Sequence, residues 1–249
     1  MVGSRWYNYG LMNRYVLAIS GGVDSVVLLD MFATGKISTI YHLPTTNYQI
    51  IVAHFDHGIR DDSAEDAKFV GELAKKYGLK YETKREELGK DASEELARNR
   101  RYQFLRSVAK KYDAQLVTAH HSDDVIESVA INLSRGTGWR GLAVMDSDVV
   151  RPLWNMSKDE IISYAKVNKL KWHEDSTNAS DKYLRNRVRQ KLLKLDDDSK
   201  RQLLSLWMQQ KNTKMRIEQE LGATFNSQNV YSRYFFICID NDSAIECLR

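Results

Sequence analysis

Short apolar runs alternate with longer amphipathic segments through the first half of the chain, and this alternation constrains the fold more than any other feature. The apolar runs have the length and composition of buried strands, at residues 15–19, 49–54, 79–83 and 115–119. A helical pattern follows each of them, over residues 25–33, 63–77, 93–112 and 122–133. Repeated strand–helix units predict an α/β fold with a parallel, Rossmann-like sheet.

A change in composition near residue 195 indicates the domain organisation. The acidic run Asp196-Asp197-Asp198 separates the α/β pattern from a helical segment over residues 199–221. We therefore expect an α/β domain over residues 1–195 and a short, mainly helical appendage over residues 196–249. Further strands are expected at 149–153, where Pro152 is tolerable at a strand end, and at 230–239.

Charge and cysteine content narrow the class of protein. A net charge of +4 permits nucleic acid as a partner without requiring it. Cys238 and Cys247 are the only cysteines and have no metal-site spacing, so we expect neither structural zinc nor disulfides, and a cytoplasmic location. No stretch approaches the roughly 20 apolar residues of a membrane span, so no membrane partner is expected.

The loop after the first strand reads Ser20-Gly21-Gly22-Val23-Asp24-Ser25. Glycines there let the backbone approach a ligand, and the following helix N-terminus attracts anions, so the loop predicts a phosphate site, although a plain turn could also use two glycines. The serine hydroxyls can donate to phosphate oxygens, whereas Asp24 would repel phosphate unless a cation such as Mg²⁺ stood between them. Neither a Walker lysine nor a GxGxxG pattern is present.

This hexapeptide resembles the pyrophosphate-binding loop of the N-type ATP pyrophosphatases and matches it without a departure. The resemblance implies an adenine nucleotide alpha hydrolase-like fold. It also implies that ATP is cleaved between its α and β phosphates and that the substrate is adenylated. All six loop residues would then bind the nucleotide, and Asp24 would hold Mg²⁺ and take part in catalysis.

Seven further stretches narrow the resemblance, at residues 54–60, 95–105, 119–128, 133–138, 151–153, 175–178 and 185–189. In this order they resemble the tRNA(Ile)-lysidine synthetase family, over about residues 15–189. The family ligates L-lysine to C2 of the wobble cytidine in tRNA(Ile) with a CAU anticodon, using ATP and Mg²⁺ and releasing AMP and pyrophosphate. The resemblance implies the same activity and partners here.

The chain departs from the family pattern at two positions and at its C-terminus. Val125 stands where the family usually has Gln, and Ser128 stands where it usually has Thr. The serine keeps a hydroxyl, but Val125 loses an amide. The region after the catalytic domain is also short, so the larger tRNA-gripping region of longer relatives would be reduced or missing.

Two acids at the start of the fourth helical pattern are candidates for binding the lysine substrate. Asp124 and Glu127 are three residues apart, so their carboxylates share a helix face and can hold an ammonium group, while Asp123 points elsewhere. One of them could act as the base, because an unperturbed lysine with a pKa near 10.4 is hardly nucleophilic at neutral pH. The alternative is simple complementation of the helix dipole.

Basic and histidine side chains complete the predicted site. We expect His57 and Arg98 near the nucleotide or the tRNA, although Arg98 could also be a solvated helix charge. The resemblance implies a functional arginine in the region of Arg185 and Arg189. The sequence does not show which of these two arginines it is. Residues 182–194 carry six basic side chains and no acidic one, which favours either a phosphate-backbone track or a solvated face.

Two other functions compete with this interpretation. A tRNA thiolase on the same scaffold is disfavoured because such enzymes generally use cysteines in the catalytic domain, and residues 1–195 contain none. A tRNA-binding module with a relic ATP site is disfavoured by the intact loop but favoured by the small C-terminal region. A homodimer stays open as an oligomeric state.

Overall fold

The structure is a computed structural model that describes residues 14–39, 48–58, 63–89, 92–145, 148–174, 184–192 and 194–224. Four strands form one sheet, namely β1 Arg14–Ala18, β2 Gln49–Asp56, β3 Lys80–Arg85 and β4 Gln115–Val117. Their order is β3-β2-β1-β4, and every neighbouring pair is parallel. The predicted α/β fold with a parallel, Rossmann-like sheet is therefore confirmed.

Helices connect and follow the strands. In chain order they are α1 Val23–Ala33, α2 Ser63–Lys76, α3 Glu94–Tyr112, α4 Ser122–Ser134, α5 Trp139–Leu142, α6 Lys158–Val167, α7 Leu184–Leu192 and α8 Asp197–Thr224, with a 3₁₀ turn at Lys36–Thr39. The first four match the predicted helices to within a few residues. The described part of the C-terminal region is helical as predicted, and the strand expected at 230–239 lies outside the described residues.

The segment 149–153 was predicted to be a strand, and it forms only a single parallel bridge between Val150 and Val117. Val150 accepts from the Thr118 amide at 3.0 Å and donates to Leu116 at 2.9 Å. Pro152 has no amide hydrogen and so cannot continue the ladder. The chain turns away there and leads into α6.

The sheet is covered on both faces because its apolar side chains alternate. Leu17 and Val52 belong to a core that includes side chains of α1, α2 and α6. Val16 and Ile51 point to the opposite face and pack against α3 through Leu105 and Val108. Strands buried on both faces read as nearly continuous apolar runs, which is why they were visible in the sequence.

The long helix α8 packs against α4 and α5. Its Trp207 is 4% exposed and lies in an apolar cluster with Val125, Val129 and Leu142. The Trp207 indole N–H donates to the carbonyl of Val144 at 2.9 Å. Leu203, Leu204 and Leu206 pack against the same cluster, so α8 is held on the α/β layer by apolar contacts and by the indole hydrogen bond.

A buried carboxylate joins three helices behind the sheet edge. Asp30 on α1 accepts hydrogen bonds from the hydroxyls of Tyr77, just after α2, and Tyr164 on α6, both at 2.7 Å. Burial and the bond to Asp30 both raise the pKa values of the two tyrosines, so their hydroxyls stay protonated donors. The cluster satisfies both oxygens of a carboxylate that is only 6% exposed.

We expect Tyr164→Phe to lower the free energy of unfolding by about 1.5–3 kcal/mol, because it removes a hydrogen bond to a charged, buried group. Tyr48→Phe is the matched control, since the Tyr48 hydroxyl donates to a neutral backbone carbonyl, that of Phe32, at 2.8 Å. That variant should lose only about 0.5–1.5 kcal/mol. Urea denaturation measures both, and equal losses would contradict the charged role of Asp30.

Candidate active site at the carboxyl edge of the sheet

A cleft of about 330 Å³ opens where β1, β2 and β4 end. Its walls come from the segments that directly follow these strands, at residues 18–25, 53–57 and 118–120. The strand order reverses direction at β1, which lies between β2 and β4. A crevice at this reversal is where open parallel sheets bind ligands, so the cleft is the candidate active site.

The Ser25 hydroxyl organises the loop between β1 and α1. It accepts from the amides of Ser20 and Gly21, both at 3.2 Å, and donates to the carbonyl of Gly22 at 2.8 Å. Gly21 has φ +98°, a conformation that other residues rarely adopt. Gly22 is the N-cap of α1 and has no side chain to satisfy the first amides, which suits an anion.

Asp24 lies in the first turn of α1 and has a cationic partner from a distant part of the chain. The Lys158 ammonium donates to Asp24 Oδ1 at 2.5 Å, across 134 residues of sequence. His121 Nε2 lies 3.9 Å from the same carboxylate oxygen. No motif in the sequence indicates a role for Lys158, although Ser157 and Glu160 form a capping pattern that predicts a helix start there.

His121 lies between three acids at the start of α4. Its Nδ1 is 3.4 Å from Asp123 and its Nε2 is 3.5 Å from Asp124. Burial by itself would lower the pKa of His121, but the contact with Asp123 and the charges of Asp124 and Asp24 outweigh it and raise the pKa above its ordinary value. The His121 contact likewise lowers the pKa of Asp123 to about 2.

The predicted acid pair on α4 meets one of the predicted arginines. Glu127 is buried, with 3% of its side chain exposed, and accepts a two-point hydrogen bond from Arg189 on α7; the Nη2–Oε2 distance is 3.2 Å. Arg189 also approaches Asp124 Oδ1 at 3.9 Å. The hydrogen bond to Glu127 raises the pKa of Arg189 above its ordinary value. Asp124 lines the cleft, whereas Glu127 lies behind it.

The cleft brings together most of the predicted nucleotide-binding residues. Its lining includes six predicted site residues, Ser20, Gly22, Asp24, Ser25, His57 and Asp124. Gly21 and Val23 complete the loop, and Val23 is buried. Arg98 is exposed and stacks over Tyr102 at 5.2 Å, while its neighbour Arg101 lines the cleft. Arg185 begins α7, and its side chain lies outside the described part of the structure.

Residues 173–174 form a further wall of the cleft, which was not expected from the sequence. The His173 amide donates to the Gly21 carbonyl at 3.0 Å, and its ring stacks on Phe69 with 4.3 Å between centroids. His173 Nδ1 lies 2.7 Å from Asp66 Oδ1. These contacts hold the segment after α6 against the phosphate loop, and no local pattern in the sequence indicates them.

The site fits a magnesium ion that arrives with a nucleotide. Across the described residues, no group of three or more His, Cys, Asp or Glu side chains could hold a metal ion alone. Mg²⁺ is typically bound by one or two carboxylates together with water and substrate phosphates. Asp24, partly exposed beside the phosphate loop, supplies such a carboxylate.

Residues 6–196 match the model of the PP-loop domain family. The chain belongs to this family. The match covers more than half of the chain and includes the loop, the cleft and the acid pair. Membership of this ATP-binding family indicates ATP as the nucleotide.

Curated relatives of this PP-loop chain are named tRNA(Ile)-lysidine synthase. The protein of Rickettsia bellii is 35% identical over 192 residues, and that of Thermosipho africanus is 37% identical over 191. These alignments cover 74% and 73% of this chain but 43% of each relative. The chain therefore spans less than half the length of these relatives.

A solved structure supports the fold. The U34-tRNA thiolase NcsA from Methanococcus maripaludis matches with a TM-score of 0.62 at 20% identity, covering 84% of this chain and 74% of that one. At this identity the likeness shows a shared architecture. Within the described residues, no helix is both long and apolar enough to span a membrane.

We expect Arg189→Met to lower the free energy of unfolding by about 3 kcal/mol, because it leaves Glu127 charged and buried without its guanidinium partner. Adding Glu127→Gln to this variant should restore at least about 1 kcal/mol, since it removes the uncompensated charge. Arg187→Met, an exposed change on the same helix, should cost less than about 0.5 kcal/mol. Thermal and urea denaturation measure all three, and no recovery in the double variant would contradict a coupled pair.

Proposed function

We propose that this chain carries out the ATP-dependent ligation of L-lysine to C2 of the wobble cytidine in tRNA(Ile) with a CAU anticodon, forming lysidine. One observation carries the proposal. The phosphate loop with Asp24 and the acid Asp124 line the same cleft, so a site for ATP and a site for an ammonium group share one space. The relatives named tRNA(Ile)-lysidine synthase support the choice of substrates.

The loop residues bind the triphosphate in this proposal. The amides at the start of α1 and the hydroxyl of Ser20 donate to the β and γ phosphates, and Ser25 holds the loop in shape through its bond to the Gly22 carbonyl. Asp24 holds Mg²⁺, which neutralises phosphate charge when bound. The cytidine C2 oxygen attacks the α-phosphate, the bond to the β-phosphate oxygen breaks, and pyrophosphate leaves with the electron pair.

Asp124 binds the lysine substrate and receives its proton. With 17% of its side chain exposed at the cleft, it is placed to accept from the ε-ammonium group. Once that group has lost a proton, its lone pair attacks C2, and AMP leaves with the electrons of the C2–oxygen bond. Glu127 and Arg189 position Asp124 from behind, because Arg189 contacts both acids.

The basic face of α7 and the residues after it bind the tRNA backbone. Arg187, Lys191 and Lys194 are exposed, whereas Arg189 on the same helix turns inward to Glu127. Exposed cations near the active site are suited to phosphate contacts that position RNA without reading its sequence. With tRNA as its substrate, the protein is expected in the cytoplasm.

A thiolase activity fits the residues poorly. The thiolase of similar fold is described with its 4Fe–4S cluster, and such clusters are held by cysteine thiolates. This chain has no cysteine before Cys238. The lysine-ligating reaction needs only oxygen, nitrogen and phosphate chemistry, which the cleft supplies.

The deciding experiment is to incubate the protein with ATP, Mg²⁺, radiolabelled lysine and total tRNA. Label fixed in tRNA, and recovered as a lysine-modified cytidine after nuclease digestion, would support the proposal. Omitting ATP should abolish it. Binding of tRNA with no label and no AMP would instead support a binding module.

We expect Asp24→Asn to abolish AMP formation while leaving tRNA retention on filters largely intact. The change removes the carboxylate proposed to hold Mg²⁺ and leaves α7 untouched. Asp159→Asn, an exposed change at the start of α6, is the control and should leave both readouts near the parent values. A loss of tRNA binding as large as the loss of AMP formation would contradict the assignment of Asp24.

Neutralising Arg187, Lys191 and Lys194 together should weaken binding to many tRNAs alike. The slope of log K against log salt should become shallower by roughly two to three units, using about 0.7–0.9 per phosphate contact. Selectivity for tRNA(Ile) should survive. Filter binding across a salt series measures this, and an unchanged slope would make these side chains a solvated face.

A further inference from the structure

The backbone of His173 is joined to one peptide group of the phosphate loop. Its amide donates to the Gly21 carbonyl at 3.0 Å, although the two residues are far apart in sequence. Gly22 follows Gly21, so the peptide group between them has no side chain on either side. The carbonyl of this peptide is held by His173, and its N–H belongs to Gly22.

The other end of the same peptide group points towards the cleft. The Gly22 N–H donates to Ser20 Oγ at 3.3 Å, and Ser20 and Gly22 both line the cleft. In a planar trans peptide the C=O and N–H groups point in opposite directions. Because the carbonyl is turned to His173, the N–H is turned to the side of the loop where an anion is expected to bind.

Two consecutive glycines allow this peptide to turn over. Rotation of the peptide plane would move the φ of Gly22, which is −72°, into the positive region, and glycine enters that region as readily as the negative one. The rotated peptide would present its carbonyl oxygen to a bound phosphate in place of its N–H. Partial negative charge would then face the anion, so this part of the loop would repel the ligand that it otherwise attracts.

The His173 side chain holds in place the amide that opposes this rotation. Its ring stacks on Phe69, with 4.3 Å between centroids and 20° between planes, and its Nδ1 lies 2.7 Å from Asp66 Oδ1. Both partners belong to α2, which is anchored in the core by the fully buried Val70. The imidazole therefore links a well-packed helix to the Gly21 carbonyl.

A cleft wall without a functional role would need neither of these contacts. Any residue at position 173 except proline supplies a backbone amide, and what histidine adds is the pair of contacts with α2. The same two α2 side chains also lie behind the loop. A Cβ atom added at Gly21 would be 3.6 Å from Phe69 Cδ1 and 3.8 Å from Asp66 Oδ1. The loop, α2 and His173 thus form one contact cluster.

We propose that His173 is a positioning residue for the nucleotide: by holding the Gly21 carbonyl, it keeps the Gly21–Gly22 peptide turned with its N–H towards the β and γ phosphates. The inference rests on the proposed nucleotide site. It predicts a selective effect, because AMP lacks these two phosphates and loses nothing when the peptide rotates. A general loosening of the cleft would weaken the binding of AMP as well.

The test compares His173→Ala with the parent chain for two ligands. Calorimetry measures the binding of AMP and of the Mg²⁺ complex of α,β-methylene-ATP, an analogue that cannot be cleaved at the reacting bond. Lys171→Ala, an exposed change in the same segment, is the matched control. Asp66→Ala removes a partner of the ring and leaves the histidine in place. Melting temperatures show whether the variants are folded.

We expect His173→Ala to bind the analogue about three- to tenfold more weakly and AMP within about twofold of the parent. Apparent affinity falls with the fraction of molecules in the competent conformation, so this loss corresponds to about one third to one tenth of them. Asp66→Ala should also weaken the analogue, whereas loss of a carboxylate beside the cleft would by charge alone strengthen anion binding. In the double variant the second change should add no further loss.

Nuclear magnetic resonance with ¹⁵N-labelled glycine observes the peptide itself. Relaxation dispersion detects exchange between two orientations on the microsecond to millisecond scale. We expect such exchange at the Gly22 amide in His173→Ala, and none in the parent or in Lys171→Ala. The Gly22 signal is assigned by its loss in Gly22→Ala.

Unchanged affinity of His173→Ala for the analogue would overturn the inference. An equal loss for AMP would also overturn it, because His173 would then be a general support of the cleft. Tighter binding of the analogue to Asp66→Ala would make that acid a repulsive charge and not an anchor, and would likewise contradict the inference. A parent that binds neither ligand would overturn the proposed nucleotide site as well, whereas a parent that binds both, with an unchanged His173→Ala variant, would overturn the role of His173 alone.

Discussion

β1 is hydrogen-bonded to β2 on one side and to β4 on the other, and both neighbours run parallel to it. Because all three strands point the same way, the residues that follow them meet at one edge of the sheet. The phosphate loop, His57 and the segment before α4 are far apart in sequence and share the cleft for this reason alone. The helices then fix the direction from which each side chain enters.

The site concentrates negative charge and balances it with cations from other elements. The acids Asp24, Asp123, Asp124 and Glu127 come from α1 and α4, and the positive partners Lys158 and Arg189 come from α6 and α7. Burying carboxylates without cationic partners would cost free energy of folding. The cations from α6 and α7 therefore complete a site that is built on the loops after β1 and β4.

Local chemistry explains which parts of the fold and the site were predictable. The loop and the first four helices follow from short patterns, whereas the pairing of Lys158 with Asp24 spans 134 residues and depends on how α6 packs against α1.

The environment of residue 125 was likewise not predictable from the local sequence. Val125 is fully buried beside Trp207, where an amide would need a hydrogen-bond partner, so an apolar side chain fits the docking of α8. The packing, not the motif, explains this departure from the family pattern.

The two acids of α4 are alike in sequence but differ in their surroundings. Asp124 lines the cleft, where Arg189 approaches its Oδ1 at 3.9 Å and the His121 amide donates to its Oδ2 at 3.1 Å. Glu127 is buried and accepts hydrogen bonds at two points from the same guanidinium, which fixes its position. In the proposed reaction an ammonium group in the cleft would therefore contact Asp124, while Glu127 supports the site from behind. The surroundings distinguish the two acids, whereas their spacing on the helix does not.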